Sequence, residues 1–388
     1  MLTRSADRKA AAAALAAATA AATAAAEQAR LDIPLSIATC MAEARFGEAV
    51  GCLALTSRAF YSDAQLWGAF KEHQGPKGRT RLMYAAWVGN VARARFLLDR
   101  GARLEVCSGY SAGGDEFQGG TALFFACRAG HLGAARLLIE RGASVNAARG
   151  GDGCTALMQA CLKGHLGVAQ LLAERGADVN AACTSDGMTA LLWASQEGHL
   201  EIAQLLVEAG ANASAAQTDD GQTAVMWASQ EGHLGIVRLL VEEGAAVNAA
   251  RTSEGSTALM ITSHAGHLEI AQALVAGGAD VNAASAGSGY TALMIASEFG
   301  HLGIAQLLLD EGANVNAALT SSGSTALMLA SAEGCREIVL LLVERGANVS
   351  AARTSDGSTA LTWASKAGHL DIVRALLASE AYGQKETK

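Results

Sequence analysis

Histidine recurs at one register of the chain: His131, His165, His199, His233, His267, His301 and His369. Imidazoles repeated this regularly could form a ladder of metal ligands or a row of general bases. The spacing argues against both. One histidine falls in each 34-residue interval, and no carboxylate or cysteine recurs beside it to complete a coordination set. Asn90 and Cys335 stand at the same register in two further copies, a replacement that a structural position tolerates better than a catalytic one. The eight cysteines (Cys40, Cys52, Cys107, Cys127, Cys154, Cys161, Cys183 and Cys335) follow no pairing pattern and form no CxxC. Neither a disulfide framework nor a zinc site is therefore expected, and a reduced, intracellular chain fits best. Cys127 and Cys161 fall where other copies carry Ser195, Ser229, Ser297 and Ser365, which indicates small-residue packing rather than a nucleophile. Phosphate-binding glycine loops, GxSxG and HExxH motifs are all missing. No enzyme, metal or cofactor is expected.

The element carrying each histidine is a repeated phrase, such as "TALLWASQEGHL" from Thr189 to Leu200 and "TAVMWASQEGHL" from Thr223 to Leu234. Its opening threonines stand at Thr121, Thr155, Thr189, Thr223, Thr257, Thr291, Thr325 and Thr359, each 34 residues after the last. A worn copy opens at Thr80 and is followed, within "CSGYSAGGDEFQGG", by a loop seven residues longer than the rest. These make nine units. In one unit, Thr189 can cap a short helix ending near Gly198, and a second helix runs from about Leu200 to Glu208, with Gly210 at the C′ position. Glu201, Gln204 and Glu208 mark one polar stripe on it, and Leu200, Ile202, Ala203, Leu205, Leu206 and Val207 fill the remaining circumference. A helix apolar on most sides needs neighbours on most sides, so units must stack into a solenoid.

About twelve residues without helical periodicity follow, "GANASAAQTDDG" from Gly210 to Gly221, too many for a directly stacking helical hairpin. The unit "TALMxAS…GHL…LLxxGAxVNAA" resembles the ankyrin repeat, whose signature contains T-P-L-H-x-A and whose usual length is about 33 residues. The resemblance covers Gly78 to about Tyr382. It implies an all-α repeat solenoid of paired antiparallel helices with β-hairpin fingers, used to bind other proteins on its concave face, and it implies that each repeat histidine orders its interhelix turn. The signature's proline is alanine here (Ala122, Ala156, Ala190), and its histidine is Met158, Leu192, Phe124 or Thr362, so the family's Thr-to-His hydrogen bond is lost and packing must hold the first turn. The 34th residue falls in the finger, as in "ARTSEGST" ending at Thr257, and should lengthen or bulge it.

Some columns vary while their neighbours do not. Position five reads Tyr84, Phe125, Gln159, Trp193, Trp227, Ile261, Ile295, Leu329 and Trp363. Positions eight and nine include Gln196 and Glu197, Gln230 and Glu231, His264, Glu298 and Phe299, and Lys366. The resemblance makes these columns the lining of a partner-binding surface, each tryptophan being either a groove anchor or a wide core filler, with the anchor favoured. Trp193 and Trp227 with Gln196, Glu197, Gln230 and Glu231 would then form an apolar strip with an acidic and amide rim.

Composition agrees: 51% of residues are hydrophobic but only 5% aromatic, which suits thin, close-packed helices. A formal charge of −8 without a run of Lys or Arg argues against nucleic acid. No segment matches a confident membrane span, so a monomeric cytoplasmic or nuclear protein is expected. Ahead of the array, residues 1–30 read as an Ala-rich helical or disordered segment, with a transit or signal segment as the alternative. Residues 31–75 carry "IPL", "LALTSRAF" and "LW", which resemble an F-box, the helical module that docks on the adaptor of cullin-type ubiquitin ligases. The resemblance makes Pro34, Leu35, Leu53, Leu55 and Trp67 adaptor-facing or core residues, but Ala38, Ala42 and Ala44 stand where larger residues are common. An N-terminal helical cap is the alternative. The array is expected over residues 76–382, its last unit truncated as a cap, with a polar tail at 383–388.

Overall fold

The computed structural model describes residues 80–108 and 119–386, with side chains to Ser379. Contacts divide the chain into Met1–Lys71 and Glu72–Lys388, and every described residue belongs to the second unit. The Ala-rich segment, the F-box-like residues and most of the long loop before Thr121 lie outside the described residues. Eighteen helices among those described follow one another in nine pairs, from Arg81–Val88 with Val91–Asp99 to Ala360–Ala367 with Leu370–Glu386. The fold is an all-α repeat solenoid.

Each pair is started and stopped by the residues that repeat. The Thr189 hydroxyl accepts the Leu192 N–H at 3.3 Å, closing the first turn of Ala190–Glu197. Gly198 at φ 79° ends that helix in the left-handed region and donates its N–H to the Ala194 carbonyl. Loss of the signature's histidine is thus compensated by an ordinary N-cap as well as by packing. Thr325 is the exception, its hydroxyl being buried without a partner.

Ala190, Leu191, Leu192 and Ala194 of the first helix and Ile202, Ala203 and Leu206 of the second are at most 2% exposed. First helices pack on first helices of adjacent units, and second helices on second helices. Alanines at the close approaches allow this, which explains the aliphatic, aromatic-poor composition; each buried Leu or Ile contributes about 1.5–3 kcal/mol. Leu205, expected in the core, is only half-buried, because the stripe that meets neighbouring units runs through Ile202, Ala203 and Leu206.

Between units the chain makes a turn rather than a stranded hairpin. In the third, between the units opening at Thr155 and Thr189, the Cys183 N–H donates to the Met188 carbonyl at 2.8 Å and the Gly187 N–H to the Cys183 carbonyl at 3.0 Å. Single antiparallel bridges, Ala182 with Thr189 through Ala318 with Thr325, replace any longer ladder among the described residues. Successive fingers are tied edge to edge: the N–H groups of Thr184, Thr218 and Thr252 donate to the carbonyls of Asp152, Asp186 and Asp220 at 2.7, 3.0 and 2.7 Å. This side-by-side placement corrects the reading of the cysteines. Cys154 and Cys183, 29 residues apart, have Cα atoms 4.9 Å from each other and form a disulfide between adjacent fingers. Their spacing matches no local motif because it is set by the stacking of units.

Candidate partner-binding groove

The variable columns sit on the first helices; at position five Phe125 and Gln159 are buried and the other seven residues are half-buried. Trp193, Trp227 and Trp363 are half-buried, and in each the indole Nε1 is covered and has no acceptor. An unpaired buried donor costs about 1–3 kcal/mol. Glu197, Gln230, Glu231 and Lys366 are exposed and Gln196 half-buried. Amides and carboxylate are chained along the surface, Gln222 Nε2 donating to Gln230 Oε1 at 3.4 Å and Gln230 Nε2 to Glu231 Oε1 at 3.1 Å.

A hollow lies one unit beyond the paired tryptophans. A cleft of about 720 Å³ opens between the first helices of units six and seven and the fingers before them. Ile261 and Ile295 line its floor, and His264 and Phe299 stand edge to face at its mouth with ring centroids 4.3 Å apart. Phe299 is 49% exposed, more than a large apolar side chain gains from in water. Glu298 and Tyr290 complete the lining. Burial raises the Glu298 carboxyl above the usual range, and the charge of Glu333 adds to this, against smaller opposing effects of His264 and the Tyr290 hydroxyl. Burial, with the Glu298 charge and hydrogen bond, raises the Tyr290 phenol as well. A second cleft of about 330 Å³ shares Tyr290 and continues past Leu329 to Trp363, where the Arg353 guanidinium lies 5.3 Å from the ring centroid.

Of the residues singled out by sequence, His264, Glu298, Phe299 and Gln230 are brought together at the larger cleft and Trp363 at the smaller. Trp193, Gln196, Glu197, Trp227, Glu231 and Lys366 line neither. Tyr290 was not anticipated, although a signal existed: it precedes Thr291 in a register that otherwise holds Gly120, Cys154, Met188, Gln222, Ser256, Ser324 and Ser358.

The histidine column does bind backbone, but across units. His233 Nε2 lies 3.1 Å from the Gln196 carbonyl of the preceding unit, and His165, His301 and His369 repeat this with Arg128, His264 and Ala332 at 3.1, 3.2 and 3.1 Å. The ring covers the preceding glycine, where a Cβ on Gly198 would come within 2.5 Å of His233. The interhelix turn of its own unit receives no cap from the side chain. A second clamp escaped the sequence reading: Asn180 Nδ2 donates to the Gly210 carbonyl at 3.0 Å while its Oδ1 accepts the Asn212 N–H at 2.7 Å. Cys127 and Cys161 are fully buried, which pushes their thiols far above the ordinary range and leaves them inert. Among the described residues, no cluster of His, Cys, Asp and Glu could hold a metal ion. No helix among them is long and apolar enough to cross a membrane.

A family model described as ankyrin repeats (three copies) matches residues 106–183, 180–251, 248–318 and 316–387. The first helix pair lies ahead of the matched residues. No curated protein matches the chain.

Proposed function

The chain belongs to the ankyrin-repeat family, whose members are protein-binding scaffolds, and on that premise we propose that it binds a partner protein along the concave face formed by its first helices and fingers. One observation carries this reading. The first-helix columns that vary from unit to unit supply Ile261, Ile295, Phe299, Leu329 and Trp363 to the two clefts, while the columns facing neighbouring units repeat. Partly buried aromatic residues with an amide and carboxylate rim are what a binding hot spot requires. Trp193, Trp227, Phe299 and Trp363 act as anchors; Gln196, Glu197, Gln230, Glu231, His264, Glu298 and Lys366 set specificity around them. Radical footprinting of the partner-bound chain tests this directly. Protection is expected at these aromatics while Leu302 and Leu370 on the second helices stay reactive; protection confined to the second helices would reject the concave face.

A second reading adds a ligase role. It rests on the F-box-like "IPL", "LALTSRAF" and "LW" of residues 31–75, with Pro34, Leu35, Leu53, Leu55 and Trp67 meeting the cullin adaptor and the array selecting the target. Capture by the purified adaptor, lost on Leu53→Asp and Trp67→Ala, is the expected result. Failure of the intact chain to bind would remove the reading without touching the array.

A further inference from the structure

Three arginines share one register of the fingers, Arg149, Arg251 and Arg353, six residues before Thr155, Thr257 and Thr359. Two of them each hold a carboxylate through two nitrogens. Arg251 reaches back to Asp220 of the preceding finger, with Nε 3.0 Å from the carboxylate and Nη2 bonded as well, and Arg149 holds Asp152 of its own finger through Nε at 2.9 Å and through Nη2. Arg353 has neither arrangement. The residue that corresponds to Asp220 in the finger before it is Ser322, so no carboxylate stands where Arg251 finds one. Asp356 of its own finger lies 3.6 Å from Nη1 and accepts the Ser358 N–H at 3.1 Å instead, and the Arg353 Nε is covered and bonded to nothing. Arg353 and Ser322 both line the smaller cleft, about 330 Å³ in volume, and Arg353 is the one charged residue among those lining it. The guanidinium stands 5.3 Å from the Trp363 ring centroid, and 21% of its side chain remains exposed. Ser321 and Ser324 bring further hydroxyls, with the Ser322 and Ser324 Oγ atoms 2.9 Å apart. A cation set on an aromatic ring, flanked by hydroxyls and lacking the carboxylate of its register, is complementary to an anionic group.

We infer that the smaller cleft seats an aspartate or glutamate carboxylate of an extended partner segment, which takes for Arg353 the place that Asp220 takes for Arg251. The planar guanidinium offers parallel N–H donors that match a carboxylate, and the serine hydroxyls donate to its remaining lone pairs. Apolar atoms next to that carboxylate rest on Leu329 and Trp363, which line the same cleft. The formal charge of −8 does not oppose an acidic group locally, because no Asp or Glu is among the lining residues. The inference rests on the concave-face reading and names one group that its partner carries.

The seat can be filled from within. Ser322→Asp puts a carboxylate at the register of Asp220, so it should pair with Arg353 and exclude the ligand while the melting temperature holds or rises. Selection from a random peptide library displayed on phage, using the intact chain as bait, supplies the probe, and Asp or Glu should be enriched at one fixed position. A synthetic peptide of the enriched sequence should bind about tenfold or more weakly to Ser322→Asp and to Arg353→Gln. Changing its acidic residue to the corresponding amide should cost the native chain a similar factor and either variant nothing further. Enrichment without a fixed acidic position, or affinity indifferent to Arg353 and Ser322, sinks the carboxylate seat. If affinity falls instead on Trp193→Ala or Trp227→Ala, the face stands and only this seat is wrong. Peptides that bind equally well after Trp193, Trp227, Phe299 and Trp363 are all changed to Ala, or a library that yields no binder, would reject the face and the seat together.

Discussion

At the scale of single residues, the tryptophans show how burial separates binding from folding. Leu206 is 0% exposed, so Leu206→Ala should cost about 2–5 kcal/mol of stability in chemical denaturation. Trp193 is only half-buried and hides an unpaired Nε1, so its removal also relieves a donor that costs about 1–3 kcal/mol. Trp193→Ala should therefore destabilise less than Leu206→Ala, while weakening the partner by about 2–4 kcal/mol in a binding titration. Trp193→Phe, which keeps a ring and drops the donor, should leave the fold as stable or more so. A Trp193→Ala chain that unfolds more readily than Leu206→Ala while keeping its affinity would make the ring a core filler. Sequence showed these columns because they vary against a constant background. It did not show the cleft of the next units, because that hollow depends on how Tyr290 and Phe299 stand beside Ile261 and Ile295, which no column of letters records.

Among the elements, the fingers carry the interactions that the sequence pattern least exposed. Helix starts and stops were legible, since Thr189 and Gly198 act on their own chain neighbours. Finger contacts join residues about one repeat apart, so their pairing appears only once the units stack, and the Cys154 to Cys183 bridge was missed for that reason. Closing a loop with a sequence separation of 29 contributes about 3–4 kcal/mol in the chain-entropy account. Cys154→Ser should lower the denaturation midpoint, and alkylation of the unfolded, unreduced chain should leave this pair unlabelled; labelling of both would show them reduced. The Asp220 to Arg251 pair links the next fingers. Burial pushes the Asp220 carboxyl up, but the Arg251 hydrogen bond, the Gln222 N–H and the Arg251 charge outweigh it and hold the group below its usual value. A carboxyl lowered on folding stabilises the fold above its unfolded pKa, about 3.9, and loses that contribution as pH falls through the folded value. Asp220→Asn should hence cost about 1 kcal/mol or less at neutral pH and progressively less in acid, as the pH falls through the folded value. An equal difference at neutral pH and in acid would mean that the charge is irrelevant.

For the molecule as a whole, stability is a sum of unit terms and of interfaces between neighbours, so the position of a defect in the array matters as much as its chemistry. The histidine column supplies an interface bond at alternate junctions, through His165, His233, His301 and His369. His233→Ala removes the bond to the Gln196 carbonyl and the ring that covers Gly198, in the middle of the array. Its local cost, about 0.5–1.5 kcal/mol for the hydrogen bond, equals that of His369→Ala, which loses the same bond to the Ala332 carbonyl at the last junction. The consequences differ. With the central junction weakened, units on either side can open independently, so hydrogen exchange should accelerate across both helices of units four and five and the denaturation curve should broaden. Weakening the last junction lets only the ninth unit fray, leaving exchange elsewhere and the main transition as they were. Hydrogen-exchange mass spectrometry on the two variants decides between these patterns. Identical profiles would show that the array unfolds as one cooperative block and that the histidines, however regular, do not set the coupling between its units.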